Sequence, residues 1–99
     1  MADLTTELIA FRDEREWARF HTLPHLAAAL NVEAGELLDR FRWGRPWDHG
    51  DVCEEVADVL IYALTMCHEL GVTPDSIVSR KLEMNAAKYP AAEWRGRAW

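Results

Sequence analysis

The stretch EEVADVLIYALTMC, residues 54–67, decides the fold. It is a long apolar run with carboxylates at its front, and from Val56 to Cys67 it holds a single ionised residue, Asp58. It lacks strand-like alternation and reads as a helix. An unpaired carboxylate in the most hydrophobic part of a chain needs a partner, because burying an isolated charge is strongly unfavourable.

Outward from this helix, the punctuation divides the chain into four helical segments. Asp51 is the expected N-cap, and Glu54 three residues later completes a capping box; Glu55 has no such local explanation. Gly71 stops the helix, and TPDS (73–76) restarts the chain with Thr73 as N-cap and Pro74 at the first helical position. The next helix carries IVSRKLEMNAAKY and ends against Pro90. On the N-terminal side, RWGRPWDHG (42–50) reads as a loop. Pro24 opens a helix that runs through HLAAALNVEAGELLDRF to about Phe41, and a first helix spans about Leu4 to Phe20 with Leu4, Leu8, Ile9 and Phe11 as core contacts. With no repeat and no low-complexity segment, the expected class is all-α. It is a four-helix bundle in one domain over residues 1–99, with a core at about 4–90 and a tail at 91–99.

Composition narrows the function classes. At 99 residues, 49% hydrophobic and 28% charged, with 5 Gly and 4 Pro, the chain is globular rather than disordered, with one small core and incomplete packing surfaces that predict a partner subunit. A formal net charge of −6 argues against a nucleic-acid polymer as partner. The start MADLTTELIAFRDERE has no basic and apolar leader pattern, and no apolar run reaches membrane-spanning length, so no membrane partner and a cytoplasmic location are expected. Cys53 and Cys67 form no CxxC pair, and on one helix they lie about 21 Å apart, so both are expected as free thiols.

Advancing about 100° per residue places Leu26, Leu30, Glu33 and Leu37 in one stripe, with Glu36 at its edge. In the following helix Glu55 falls between the directions of Tyr62 and Met66, and Asp58 borders the same face. Two antiparallel helices bring these pairs face to face. Carboxylates crowded into one low-dielectric site cannot all stay ionised unless cations join them, and all-oxygen donors suit Mg²⁺, with Mn²⁺ as the alternative. The competing explanation is solvated helix faces and i, i+4 ion pairs, for which Glu36 with Arg40 is a fit. A di-iron bundle is excluded, because none of the four histidines has a Glu three residues before it.

The segments FH, EAGELLDRFRW, DVLIY and KLEMNAAKYP, with ExxE followed by ExxD, resemble the all-α nucleoside triphosphate pyrophosphohydrolases of the MazG-like family, particularly the dCTPase-like branch. The resemblance runs from about Phe11 to Pro90. It implies Mg²⁺-dependent hydrolysis of a nucleoside triphosphate to monophosphate and pyrophosphate, with dCTP or modified nucleotides as substrates. It implies metal ligation by Glu33, Glu36, Glu55 and Asp58, with Glu36 or Glu33 orienting the attacking water. It also implies a base pocket of Trp17, His21 and Trp43, phosphate and sugar contacts from Lys81, Asn85 and Tyr89, and a homodimer or homotetramer. Packed aromatics and a snorkelling lysine are the bland alternatives for these positions, and Trp47, Trp94 and Trp99 are expected to be core only. FHTLPHL departs from the family pattern by placing Pro24 at a basic position and His25 at an Asn. The non-enzymatic rival is a helical oligomerisation module, for which Ile61 offers an extra packing surface; the enzymatic rival is a phosphoribosyl-ATP pyrophosphohydrolase.

Overall fold

The computed structural model describes residues 2–97, with side chains from Leu4 onward, so Trp99 lies outside the described residues. The described residues are all-α: α1 (Ala2–Glu14), α2 (Leu23–Asp39), α3 (His49–Leu70), α4 (Pro74–Lys88) and a one-turn α5 (Ala91–Trp94), with 3₁₀ turns at Trp17–Phe20 and Arg42–Gly44. The helix count therefore exceeds the expected four by the short α5. No single helix among them is long and apolar enough to cross a membrane.

The first expected helix ends early. Glu16 takes a left-handed conformation at φ 55°, after which the chain turns. Phe11 is the cause. The Arg15 guanidinium lies 3.6 Å above its ring, Arg15 donates to the Phe11 carbonyl at 2.8 Å, and Trp17 packs edge-on at 5.9 Å. Clasping one ring from two directions bends the chain, at a local backbone cost of about 1–3 kcal/mol.

α2 begins as expected, with Pro24 in its first turn and Thr22 accepting from the His25 N–H at 3.3 Å. α3 begins three residues before the expected cap: Asp48, not Asp51, is the N-cap and accepts from the Asp51 N–H at 3.0 Å. Either aspartate satisfies the chemistry of a cap. With Asp48 in that role, Glu54 loses its capping function and stands exposed on the second turn.

Gly71 ends α3 at φ 69°. Its N–H bonds to the His68 carbonyl at 3.1 Å and the Val72 N–H reaches Cys67 at 3.0 Å, the paired bonds of a Schellman motif. Thr73 then caps α4 at 3.2 Å, with Pro74 at its start. The consequence is a 96° bend between α3 and α4.

Packing is concentrated in the α2–α3 pair, with α1 laid against α3; α4 makes no extensive contact with any other element. The buried side chains among the described residues are few: Leu26 and Thr65 are the most enclosed, with Leu64, Cys67, Arg12 and Glu55 beside them. Leu4 and Phe11, expected in the core, are half exposed because they line a cleft rather than a sealed interior. The Cα radius of gyration is 16.5 Å. A compact domain of this length has about 13 Å. On α4, Ile77, Val78, Leu82 and Met84 are exposed.

Candidate metal centre

The α2–α3 pairing brings three of the expected ligands together. Carboxylate oxygens of Glu33 on α2 and of Glu55 and Asp58 on α3 all lie within 4.8 Å of one another. The α2 stripe delivers Glu33 inward because it follows the buried Leu26 and half-buried Leu30 on one face. Glu55 and Asp58 are separated by one turn of α3, so one helix face presents both.

Electrostatics set this cluster apart from an ordinary acidic surface. The Oε2 atoms of Glu33 and Glu55 are buried and have no hydrogen-bond partner. Desolvation, then the hydrogen bonding and charge of Glu36, and then Asp58 and Glu55 push the Glu33 carboxyl above its ordinary pKa. Buried acceptors without donors are unfavourable. Hard oxygen atoms directed into one space match a divalent cation such as Mg²⁺ or Mn²⁺, so the residues present fit such an ion. Glu36 is exposed at the edge of the cluster, outside the set of three that converge.

Arg40 changes the expected pairing. It bonds Glu55 Oε1 through Nη2 at 2.9 Å and approaches Asp51 at 3.8 Å, rather than pairing with Glu36 one turn before it. Glu36 is thereby left to the acidic cluster. Glu55 is held by one oxygen while the other stays unpartnered.

Cavities flank the cluster on both sides. An apolar cleft of about 570 Å³ between α1 and α3 includes Trp17, His21 and Asp58 in its wall. A polar cavity of about 480 Å³ at the α2–α3 loop includes Glu36, Glu55, Arg40, Arg45 and Trp47. Trp47 is half exposed and stacks edge-on against Phe41 at 5.3 Å, so it walls this cavity instead of filling a core. Trp94 packs edge-on against Tyr89 at 4.9 Å.

The remaining expected site residues do not meet within one chain. Trp43 is 87% exposed in a left-handed conformation at φ 66° and lines neither cavity. Lys81, Asn85 and Tyr89 follow one another at four-residue spacing along the end of α4, as expected, but α4 stands away from the acidic cluster. Arg12 was missed by pattern reasoning. It is buried, joined to Glu69 of α3, and lines the apolar cleft. Its signal was available: Leu4, Leu8 and Arg12 fall at four-residue spacing, a cation in an apolar stripe just as Asp58 is an anion in one.

Comparison with known proteins places the chain among pyrophosphatases by sequence and fold. dCTP pyrophosphatase 1 of Homo sapiens is 35% identical over 91 residues, 82% of this chain and 54% of that protein. The Rattus norvegicus protein of the same name is 33% identical over 98 residues, 89% of this chain and 58% of that one. The chain thus spans little more than half the length of these curated relatives. A pyrophosphatase from Archaeoglobus fulgidus DSM 4304 superposes with a TM-score of 0.83 at 41% identity, covering 91% of this chain and 92% of that one. The sequence model of the MazG-like family matches residues 28–98, which include all four acidic positions, and the chain belongs to the MazG-like family.

Proposed function

We propose that residues 1–99 act as a single-domain, Mg²⁺-dependent nucleoside triphosphate pyrophosphohydrolase, cleaving dCTP or modified nucleotides to the monophosphate and pyrophosphate as cytoplasmic house-cleaning. The observation that carries the proposal is the convergence of Glu33, Glu55 and Asp58 with buried, unpartnered oxygens on the first two. Kinship to proteins named dCTP pyrophosphatase supports the substrate class.

In this mechanism Glu33, Glu55 and Asp58 would hold the cation, with Glu36 joining from the edge of the set. A bound divalent cation supplies charge neutralisation for the triphosphate and polarises water. Glu36 has solvent access and adjoins the cluster, which suits it to orient the attacking water and take up its proton. Arg40 fixes Glu55 through a charge-assisted hydrogen bond, so that carboxylate does not have to be ordered at each turnover. Trp17 and His21 receive the base in the cleft that ends at Asp58. Lys81, Asn85 and Tyr89 stand off on α4, so in this proposal they serve a site completed by a second copy, in a homodimer or homotetramer that also covers the apolar α4 face.

The test is pyrophosphate and monophosphate release from a panel of canonical and base-modified triphosphates, with Mg²⁺, with Mn²⁺ and with chelator. Equimolar monophosphate and pyrophosphate, lost on chelation, is the expected result. Release of orthophosphate, or no metal-dependent product from any triphosphate, would overturn it.

A further inference from the structure

The two oxygens of Glu55 have different surroundings. Oε1 accepts from Arg40 Nη2 at 2.9 Å, whereas Oε2 is buried and has no partner. Only 7% of Glu55 is exposed. Arg40 is the C-cap residue of α2, and its N–H bonds the Leu37 carbonyl at 3.2 Å. From that anchored position its side chain crosses to α3, where Nη1 also approaches Asp51 at 3.8 Å. Among the described residues no arginine, lysine or histidine pairs with Glu33 or Asp58. Glu55 is thus the one member of the converging set with an oxygen already committed to a cation.

We propose that Arg40 is a positioning residue that keeps Glu55 from ligating through both of its oxygens, and that it thereby biases the centre toward Mg²⁺ and Mn²⁺ over Ca²⁺. The inference rests on the metal centre of the proposed function. A charge-assisted bond to guanidinium holds Oε1 and draws on its negative charge. A divalent ion brought onto that same oxygen would stand within a few ångströms of a second positive charge and be repelled by it. Oε2 carries no such penalty, and its burial without a donor makes it the oxygen to be satisfied.

The two classes of ion respond differently to the loss of one oxygen. Ca²⁺ gathers about 6–8 oxygens in a flexible shell and commonly draws two from one carboxylate. Mg²⁺ takes about six in a strict octahedron and keeps several waters, so single oxygens from a few carboxylates suffice. A guanidinium that withholds Oε1 therefore costs Ca²⁺ more than Mg²⁺. Simple relief of crowded negative charge would act differently, because it weakens the hold on every divalent ion alike. Arg40, Asp51 and Glu55 share the wall of the polar cavity, so Asp51 steadies the guanidinium on the side where it meets Oε1.

The experiment titrates Mn²⁺ into the nucleotide-free protein, reads bound ion by electron paramagnetic resonance, and displaces it with Mg²⁺ or with Ca²⁺. The unmodified protein, Arg40→Met and Arg40→Lys are compared, with thermal melts of each. The unmodified protein is expected to bind Mg²⁺ at least as tightly as Ca²⁺. Arg40→Met releases Oε1 and is expected to move the ratio of Mg²⁺ to Ca²⁺ affinity toward Ca²⁺ by about 10-fold. Arg40→Lys keeps a cationic donor for Oε1 and is expected to restore most of the preference. Tighter binding of Ca²⁺ than of Mg²⁺ by the unmodified protein overturns the inference without any variant. So does a folded Arg40→Met in which both affinities change by the same factor, which would make Arg40 a counter-charge, or one altered only in melting temperature. Mn²⁺ binding with an unchanged ratio overturns this inference alone. Absence of Mn²⁺ binding by the unmodified protein overturns the metal centre of the proposed function with it.

Discussion

The α2–α3 pair and α4 are built from similar materials and end in opposite states. Both carry apolar residues at helical spacing, and both are capped by local sequence. In the pair, each helix supplies what the other lacks: Leu26 and Leu64 are enclosed, and the carboxylates gather where the helices face each other. In α4, Leu82 and Val78 are exposed, and the helix leaves α3 at a 96° bend after Gly71. Local chemistry decides that a helix forms. Whether its apolar face is used depends on what lies opposite.

The sharpest way to break this comparison is at the carboxylates. Glu33→Gln should lower Mg²⁺-dependent kcat by at least about 100-fold, since charge stabilisation by the cation is the main loss. The metal-free variant should melt no lower than the parent, because Glu33 ionises against its neighbours. Loss of activity with a collapsed melting temperature would instead make Glu33 a structural residue.

Next come the apolar side chains. Leu26→Ala empties a fully enclosed position and should reduce unfolding free energy by about 2–5 kcal/mol in urea melts. Leu82→Asp should leave protomer stability nearly unchanged but shift sedimentation velocity toward a single chain, if a second copy covers α4. An unchanged sedimentation coefficient for the variant would remove α4 from the assembly surface. Smaller still, Gly71→Ala places a Cβ on a left-handed residue and should cost about 1–2 kcal/mol. No neighbouring atom lies within 4 Å of that Cβ position, so the effect isolates backbone strain.

His21 offers the mildest test. Burial, Arg12 and His25 lower its pKa below the ordinary value near 6.5. The unfolded chain therefore takes up the proton first as pH falls. Stability from this residue is complete above about pH 6.5 and declines below it until the folded ring also protonates. His21→Phe should flatten that slope in melts at about pH 7.5 and 5.5, with the other titrating groups unchanged.

Much of the site was legible because its signals are local. Gly71, Thr73 and Pro74 mark the α3–α4 junction by backbone chemistry alone, and Glu33, Glu55 and Asp58 announce themselves as charges on apolar faces. The errors arose where two local solutions are equally good or where the answer lies far along the chain. Asp48 and Asp51 both suit a cap. The residues after Glu14 carry no helix breaker, so nothing in the pattern revealed that Arg15 and Trp17 would clasp Phe11. Arg40 is one turn from Glu36 in sequence, yet it pairs with Glu55, fifteen residues away, because the α2–α3 turn folds it back. The separation of α4 was invisible for the same reason: periodicity gives the direction of an apolar face but not its neighbour.

The clustering of packing between two consecutive helices has a kinetic consequence. Contacts joining α2 to α3 close a short loop, and folds dominated by such contacts have low contact order and form quickly. Any docking of one protomer on another must then follow as a separate, concentration-dependent event, slower than the making of the helices themselves. A dilute chain would thus hold its carboxylates in register without waiting for any partner to dock on α4.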